Sequence, residues 1–243
     1  MNSAFERQSL LAQHPEQAAF WQQRLADAAP TKLIRDRMLG VGDDRRAALE
    51  VPLAPETRDA VRRISTGDAT LRRLVYAGAA AVVSARAIAA EVVTILVATG
   101  GDTNAFVPAT VAVGRASCFS DVLTALRGEW IAAQNALDVP LAHLTAGMVG
   151  AGPSDIAVAL DGDPGVDDAA LFGATLSIVV DEGPEPRVRI DYLADAFDAS
   201  TIAALAARFA EVLARCAVDP SLLLAELLSP SACLLYTSPS PRD

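Results

Sequence analysis

The chain holds two histidines, His14 and His143, in the contexts LAQHPEQ and LAHLTAG. A histidine that works as a general base or activates a nucleophile needs a serine, cysteine or carboxylate within hydrogen-bond reach. Neither context supplies one at a motif spacing, so both histidines read as surface or packing residues. No GxSxG elbow, Walker loop or HExxH pair occurs. Thr99-Gly100-Gly101-Asp102 has the glycines of a phosphate loop without the Lys and Ser/Thr that would follow, which makes it a plain turn. The densest carboxylate run, DGDPGVDD, brings Asp161, Asp163, Asp167 and Asp168 together. An EF-hand loop needs glycine at its sixth position and glutamate at its twelfth, yet counting from Asp161 those places hold Val166 and Phe172. A solvated acidic loop is expected instead. Cys118, Cys216 and Cys233 lie far apart, with neither a zinc-ligand spacing nor a disulfide framework. From the residues alone, no catalytic, cofactor-binding or metal-binding residue is assigned.

Composition narrows the function classes further. The 243 residues are 52% hydrophobic, enough for a sizeable core and against intrinsic disorder. Twenty basic against thirty acidic residues give a net charge of −10, the wrong sign for a broad phosphate-binding face. Nucleic acid is not an expected partner. Lys32 is the single lysine and alanine dominates, a bias that fits a GC-rich bacterial source. The N-terminus has no basic stretch followed by an apolar one, so no signal peptide is expected. The most apolar window, Leu74 to Ala98, is broken by Ser84, Arg86 and Glu91, and its longest clean run, Leu74 to Val83, is too short for the roughly 20 residues of a bilayer-spanning helix. A cytoplasmic protein without a membrane partner is the expectation.

The elements follow from periodicity. Ala18, Phe20, Trp21, Leu25 and Ala28 fall near one helical face between Pro15 and Pro30. Thr31 to Arg46 reads as a charged linker, Leu49 to Leu53 as a short strand, and Pro55 opens a polar helix to about Ile64. Asp68 or Thr70 caps an alanine-rich helix to roughly Ala85 that is apolar nearly all round, hence buried. Val92 to Ala98 is an unbroken β-branched run suited to a central strand. Phe106 to Val113 is a second strand that Pro108 confines to an edge or a bulge. Ser117 is placed to cap a helix with the stripe Phe119, Val122, Leu123, Leu126 and Trp130. A short helix is expected from Asp138 through Leu144, and between Gly147 and Ala170 only Ile156 to Leu160 resembles a strand. Leu176, Ile178 and Val180, then Val188, Ile190 and Tyr192, alternate as a hairpin with one buried face. Asp198 is placed to cap a last helix striped by Ile202, Leu205, Ala206, Phe209, Leu213 and Cys216, with Phe197 stapled against Ile202.

Three of these segments resemble the condensation domains of nonribosomal peptide synthetases. AAFWQQRLADAAP, around Trp21, is similar to the helix leading into the second half of that domain. Asn135 to Leu141, NALDVPL, resembles the family's (H/N)QD(Y/V)PFE motif in Asp138, Val139 and Pro140, with Leu141 in place of Phe and Ala142 in place of Glu. Asp191 to Leu213 is similar to the hairpin-to-helix join Y-x-x-x-x-F-D-x-x-T-I through Tyr192, Phe197, Asp198 and Thr201. In the family's GxFVNT region Phe106 and Val107 match, whereas Pro108 and Ala109 replace Asn and Thr. The HHxxxDG motif and the arginine-rich motif after the PFE region are absent.

The resemblance, covering roughly Ala4 to Ala232, implies an α/β fold: one lobe of a chloramphenicol-acetyltransferase-like two-layer sandwich, a mixed sheet packed by helices. It divides the chain into a condensation-domain C-terminal lobe at 1–217, a linker toward an adenylation domain at 218–232, and a tail at 233–243. That tail, CLLYTSPSPRD, is encodable in register by a transposase adapter used for sequencing libraries, so it is expected not to be native. Three roles are open. The leading one is a truncated lobe, inactive alone, that docks an adjacent adenylation domain. The alternative is half of a working domain that joins aminoacyl and peptidyl thioesters held on the phosphopantetheine arms of peptidyl carrier proteins, its HHxxxDG lobe lost by truncation. The third, a standalone interaction module, requires Met1 to be the true start. A missing N-terminal lobe would also leave an exposed apolar patch larger than a few hundred Å2.

Overall fold

A computed structural model describes residues 12–40, 44–101, 105–139, 141 and 152–228. They build a six-stranded mixed sheet in the order β1-β6-β5-β4-β2-β3. The strands are β1 (Arg46–Pro52), β2 (Val92–Ala98), β3 (Phe106–Ala112), β4 (Ile156–Leu160), β5 (Leu176–Asp181) and β6 (Arg187–Leu193). The middle of the sheet is parallel, β2 to β4 and β4 to β5, and both ends are antiparallel. Pro108 sits in β3 at one edge of the sheet, where its missing N–H removes no ladder bond.

One face of the sheet carries the main core. Val93, Ile95 and Val97 of β2, Ile156 and Val158 of β4, Leu176, Ile178 and Val180 of β5, and Val188, Ile190 and Tyr192 of β6 all point there. They meet α2 (Pro55–Ile64), α3 (Ala69–Ala87), α4 (Phe119–Gln134) and α5 (Ala199–Val218). Helix α3 is buried continuously from Arg73 to Ala85, as its all-round apolar sequence requires. Its alanines let neighbours approach closely, and at Gly78 a β-carbon would lie 3.0 Å from the Phe119 ring of α4.

The opposite face is covered over β3, β2, β4 and β5 but not over β6 and β1. There Leu96, Ala98, Phe106, Ala157 and Ala159 pack under α1 (Pro15–Asp27), the segment around Ala136 to Leu141, and a 3-10 helix at Val166–Phe172. The β6-β1 end stays open. Its outward residues are Arg46, Ala48 and Glu50 of β1 and Arg187, Arg189 and Asp191 of β6, so this surface is polar where an apolar patch was expected. The exposed large hydrophobics among the described residues, Ile34, Met38, Val92, Ile131, Val218 and Leu223, are distributed over several other elements.

Several local expectations are corrected. Residues 31 to 40 do not form a free linker. Thr31 bridges to Ser154, Leu33 is buried, and β1 starts at Arg46 rather than Leu49. Helix α4 is capped by Cys118, not Ser117, because Asp121 accepts the Cys118 N–H in a reciprocal capping box. β5 is buried on both faces, Ser177 and Val179 as well as Leu176, Ile178 and Val180, whereas the neighbouring inner strand β6 alternates. Asp198 occupies the N-cap of α5 but its carboxylate does not cap it. The 3-10 helix was not foreseen at all. Chain 219–228, read as the start of a linker, returns to the lobe. α6 (Leu224–Leu228) buries Leu224 and Leu227, and Leu224 N–H donates to Ser117 O at 2.9 Å. Pro140, the helix from Ala142 to Leu144 with His143, Asp102 and the tail at 233–243 lie outside the described residues. No helix among the described residues is long and apolar enough to cross a membrane.

Candidate functional site

The residues singled out by sequence gather in two places. Trp21 is fully buried on α1, and its indole N–H donates to Ala136 O at 2.7 Å. Gln17, one turn earlier, donates from Nε2 to Asp138 Oδ2 at 2.9 Å. Val139 is buried in the same cluster, and Phe106 meets Phe172 edge to face at 5.8 Å between ring centroids. Trp21, Phe106, Asp138 and Val139 therefore form one joint that fixes α1 and the NALDVPL segment over the second face of the sheet. The indole both fills the layer and donates to the Ala136 carbonyl.

The second gathering is the β6–α5 join. Tyr192 and Phe197 are buried in the main core. Asp36, from the 31–40 segment, accepts Asp198 N–H at 2.7 Å and Thr201 Oγ1–H at 3.0 Å. Asp36 thus caps α5 from outside the helix, and the Asp198 carboxylate is freed to pair with Arg37. Arg37 also donates to Ala194 O at 2.9 Å. The segment itself is anchored by Asp155, wholly buried, which accepts Leu33 N–H at 3.0 Å and Lys32 Nζ at 3.1 Å. Both gatherings hold elements together, and their exposed carboxylates, Asp36, Asp138 and Asp198, are each bonded to a neighbouring element.

Two arrangements were missed from the sequence. Asp163, expected in a solvated loop, is buried against Arg73 of α3 in a two-pronged pair, with Arg73 Nε at 2.8 Å from Oδ2. An arginine inside an otherwise apolar helix was the available signal, because a buried guanidinium requires a carboxylate. The second is a cavity of about 350 Å3 on the open end of the sheet, lined by Arg46, Ala47, Ala48, Val166, Asp167, Ser177 and Asp191. Small residues make its floor and charges of both signs stand around it. Such a lining can hydrogen-bond and neutralise a polar group, and it contains no histidine or thiol. Among the described residues no group of three or more His, Cys, Asp or Glu is placed to hold a metal ion. His14 is half-buried at the N-cap of α1, remote in sequence from every carboxylate named above, and its side chain makes no cap bond.

No protein-family model and no curated protein matches the chain. Solved structures do. The first condensation domain of the CDA synthetase matches with a TM-score of 0.69 at 18% identity, over 93% of this chain and 56% of that one. The fold is that of condensation domains. The X-domain of teicoplanin biosynthesis, seen in a complex with OxyB, matches with a TM-score of 0.69 at 17% identity, over 92% of this chain and 59% of that one. The condensation domain of the Monacolin K polyketide synthase MokA matches with a TM-score of 0.65 at 12% identity, over 91% and 62%. The chain thus spans a little over half the length of these condensation domains.

Proposed function

We propose that this chain is the second lobe of a condensation domain from a nonribosomal peptide synthetase, and that it serves as a scaffold without acid–base chemistry of its own. The observation that carries the reading is the pairing of coverages: 93% of this chain lies on only 56% of a condensation domain. The motif-like residues support it, because Trp21, Asp138, Asp198 and Thr201 are all spent on joints between elements. In an intact synthetase the lobe would be one wall of an amide-forming cleft. Its α5–α6 end, where Val218 and Leu223 are exposed, would receive a following adenylation domain.

The chemical half of the proposal is tested by incubating the purified chain with an aminoacyl and a peptidyl carrier-protein thioester. No amide product above the no-protein control is expected, since the chain carries no adjacent histidines of an HHxxxDG motif to position the acceptor amine. Time-dependent product overturns it. The docking half is tested by reading the genomic locus beyond the codon for Ala232 and expressing the domain found there. An adenylation domain that binds the chain, and binds Val218→Glu and Leu223→Glu variants more weakly, supports it. A different downstream domain, or unchanged binding, overturns it.

The second reading is half of a working domain, and the polar cavity on the open end of the sheet favours it. Its test is reconstitution: a separately expressed lobe bearing HHxxxDG, added to this chain, should restore amide formation from the two thioesters. Failure with a well-folded mixture leaves the scaffold reading in place.

A further inference from the structure

The two edges of the sheet are treated differently. At β3 the outward backbone groups are taken up by side chains: Thr110 N–H donates to Glu129 Oε2 at 3.1 Å, Pro108 has no N–H, and Pro108 O accepts from Arg24 Nε at 3.4 Å. At β1 no such cover is present among the described residues. Ala194 N–H donates to Arg45 O at 2.7 Å and Leu53 N–H to Pro186 O at 2.9 Å, so the odd-numbered residues of β1 bond to β6. Alternation then turns the N–H and C=O of Arg46, Ala48 and Glu50 outward. All three residues are exposed, and their side chains stand on the open face of the sheet. An uncovered row of this kind is a template for another strand.

We propose that β1 is the contact edge of a two-fold dimer, in which the β1 strands of two copies of this chain pair antiparallel about Ala48. The charge pattern selects this partner and this register. With Ala48 opposite Ala48 of the second copy, Arg46 of each copy faces Glu50 of the other, twice over by symmetry, and all of these are hydrogen-bonding positions. About six N–H···O bonds would form across the join. Sliding the register by two residues one way sets Asp44 against Glu50; sliding it the other way sets Arg46 against Pro52 and leaves the charges unmatched. Edge charges ordinarily deter pairing because they repel a copy of themselves. Here the signs are mirrored about Ala48, so the two-fold arrangement converts deterrence into complementarity. Glu50 and its neighbour Arg187 are about half-exposed, 3.5 Å apart, which leaves the carboxylate open on its outer side. Arg46 touches Ala174 O at 3.3 Å with one nitrogen and keeps its other donors free. On the opposite face Ala47, Leu49 and Val51, partly buried against the main core, would continue the apolar layer across the join. Pro52, opposite Asp44, ends the ladder.

The experiment is sedimentation equilibrium of the full chain at low salt from micromolar to millimolar concentration, with circular dichroism and melting as controls for folding. Concentration-dependent dimerisation is expected. Arg46→Glu and Glu50→Arg each put like charges opposite one another at two places and should weaken the dimer by about tenfold or more. The double variant restores opposite signs and should return to within about threefold of the parent. Ala48→Pro removes the central outward N–H without costing a bond to β6, so it should abolish the dimer and leave the melting profile intact. A monomer at every concentration overturns the proposal, as does association indifferent to both single reversals, or a double variant no better than the singles. The outcome is separate from the thioester assays, which do not depend on association.

Discussion

Arg73 and Asp163 close a two-pronged ion pair that joins the first turns of α3 to the loop after β4. The same carboxylate accepts Leu160 N–H at 2.8 Å, so it also ends β4. Gly100, at the end of β2, lies directly against the guanidinium. Its φ is +72°, and a β-carbon there would come within 2.5 Å of an Arg73 nitrogen. The turn after β2 and the loop after β4 therefore meet the first turns of α3 at one buried charge pair.

Asp163→Ala should cost about 3 kcal/mol of unfolding free energy, because the guanidinium would be left buried and unpaired. Denaturant titration reads this. The double variant Arg73→Met with Asp163→Leu should recover a substantial part of the loss, since hydrophobic replacements of a whole buried pair are often neutral. A single-variant loss below about 0.5 kcal/mol, the range of ordinary surface changes, would mean that the pair is solvated.

Gly100→Ala strains a positive φ and collides with Arg73 at once. About 1–3 kcal/mol is expected, from the backbone conformation alone at the lower end. In the background of Arg73→Met the steric part should vanish and leave only the backbone part. Thermal or chemical melts of the four-member cycle measure that coupling.

How much of this was legible in the sequence depends on the range of the interaction. β2, α2, α3 and the β5–β6 hairpin are written locally, in a β-branched run, in Pro55 at a first helical turn, in the Asp68 cap and in strict alternation at Val188, Ile190 and Tyr192. Asp68 does accept Leu71 N–H, at 2.8 Å. The contacts that join the elements are not local. Nothing near Asp163 in the chain names Arg73, ninety residues earlier, as its partner. Asp36 lies 162 residues from the helix it caps, so Asp198, the residue in the expected position, was credited instead. Trp21 and Asp138 are joints, and a joint leaves the same mark in a sequence as a site.

Trp21→Phe tests the first joint. Phenylalanine fills most of the layer but removes the indole bond to Ala136 O, a loss of about 0.5–1.5 kcal/mol. Hydrogen exchange should show the loss concentrated in α1 and around Ala136, with the main core under α3 and α5 retaining its protection. Uniform loss across the sheet would indicate that the two layers do not unfold separately.

Asp36→Ala and Asp198→Ala separate the true cap from the apparent one. Asp36 satisfies the first orphan N–H of α5 and the Thr201 hydroxyl, so its removal should cost about 1–2 kcal/mol. Asp198 has no side-chain cap bond and pairs with an exposed Arg37, so its removal should cost less than about 1 kcal/mol. The reverse order in denaturant titration would restore Asp198 to the capping role.

Two buried groups set the alkaline limit. Burial pushes the Cys216 thiol up to about 12, from an ordinary value of 9.0. Burial and the Glu182 carboxylate, which accepts the Tyr76 hydroxyl at 2.7 Å, raise Tyr76 far above its usual 10.0. In both cases the charged form is easier to reach in the unfolded chain. Their contribution is complete below pH 9 and lost as pH rises, first for Cys216 between about 9 and 12 and from about 10 upward for Tyr76. Denaturant midpoints measured from pH 8 to 11 should therefore fall, and Cys216→Ala should flatten the early part of the decline even though it lowers stability at pH 8. Tyr76→Phe should flatten the later part, with a loss of about 1.5–3 kcal/mol at neutral pH from the missing hydrogen bond to a charged group. Absorbance of tyrosinate, followed in the same series, should show one tyrosine that ionises only together with unfolding. If every tyrosine titrates near 10 while the fold persists, Tyr76 is not held in the core as described.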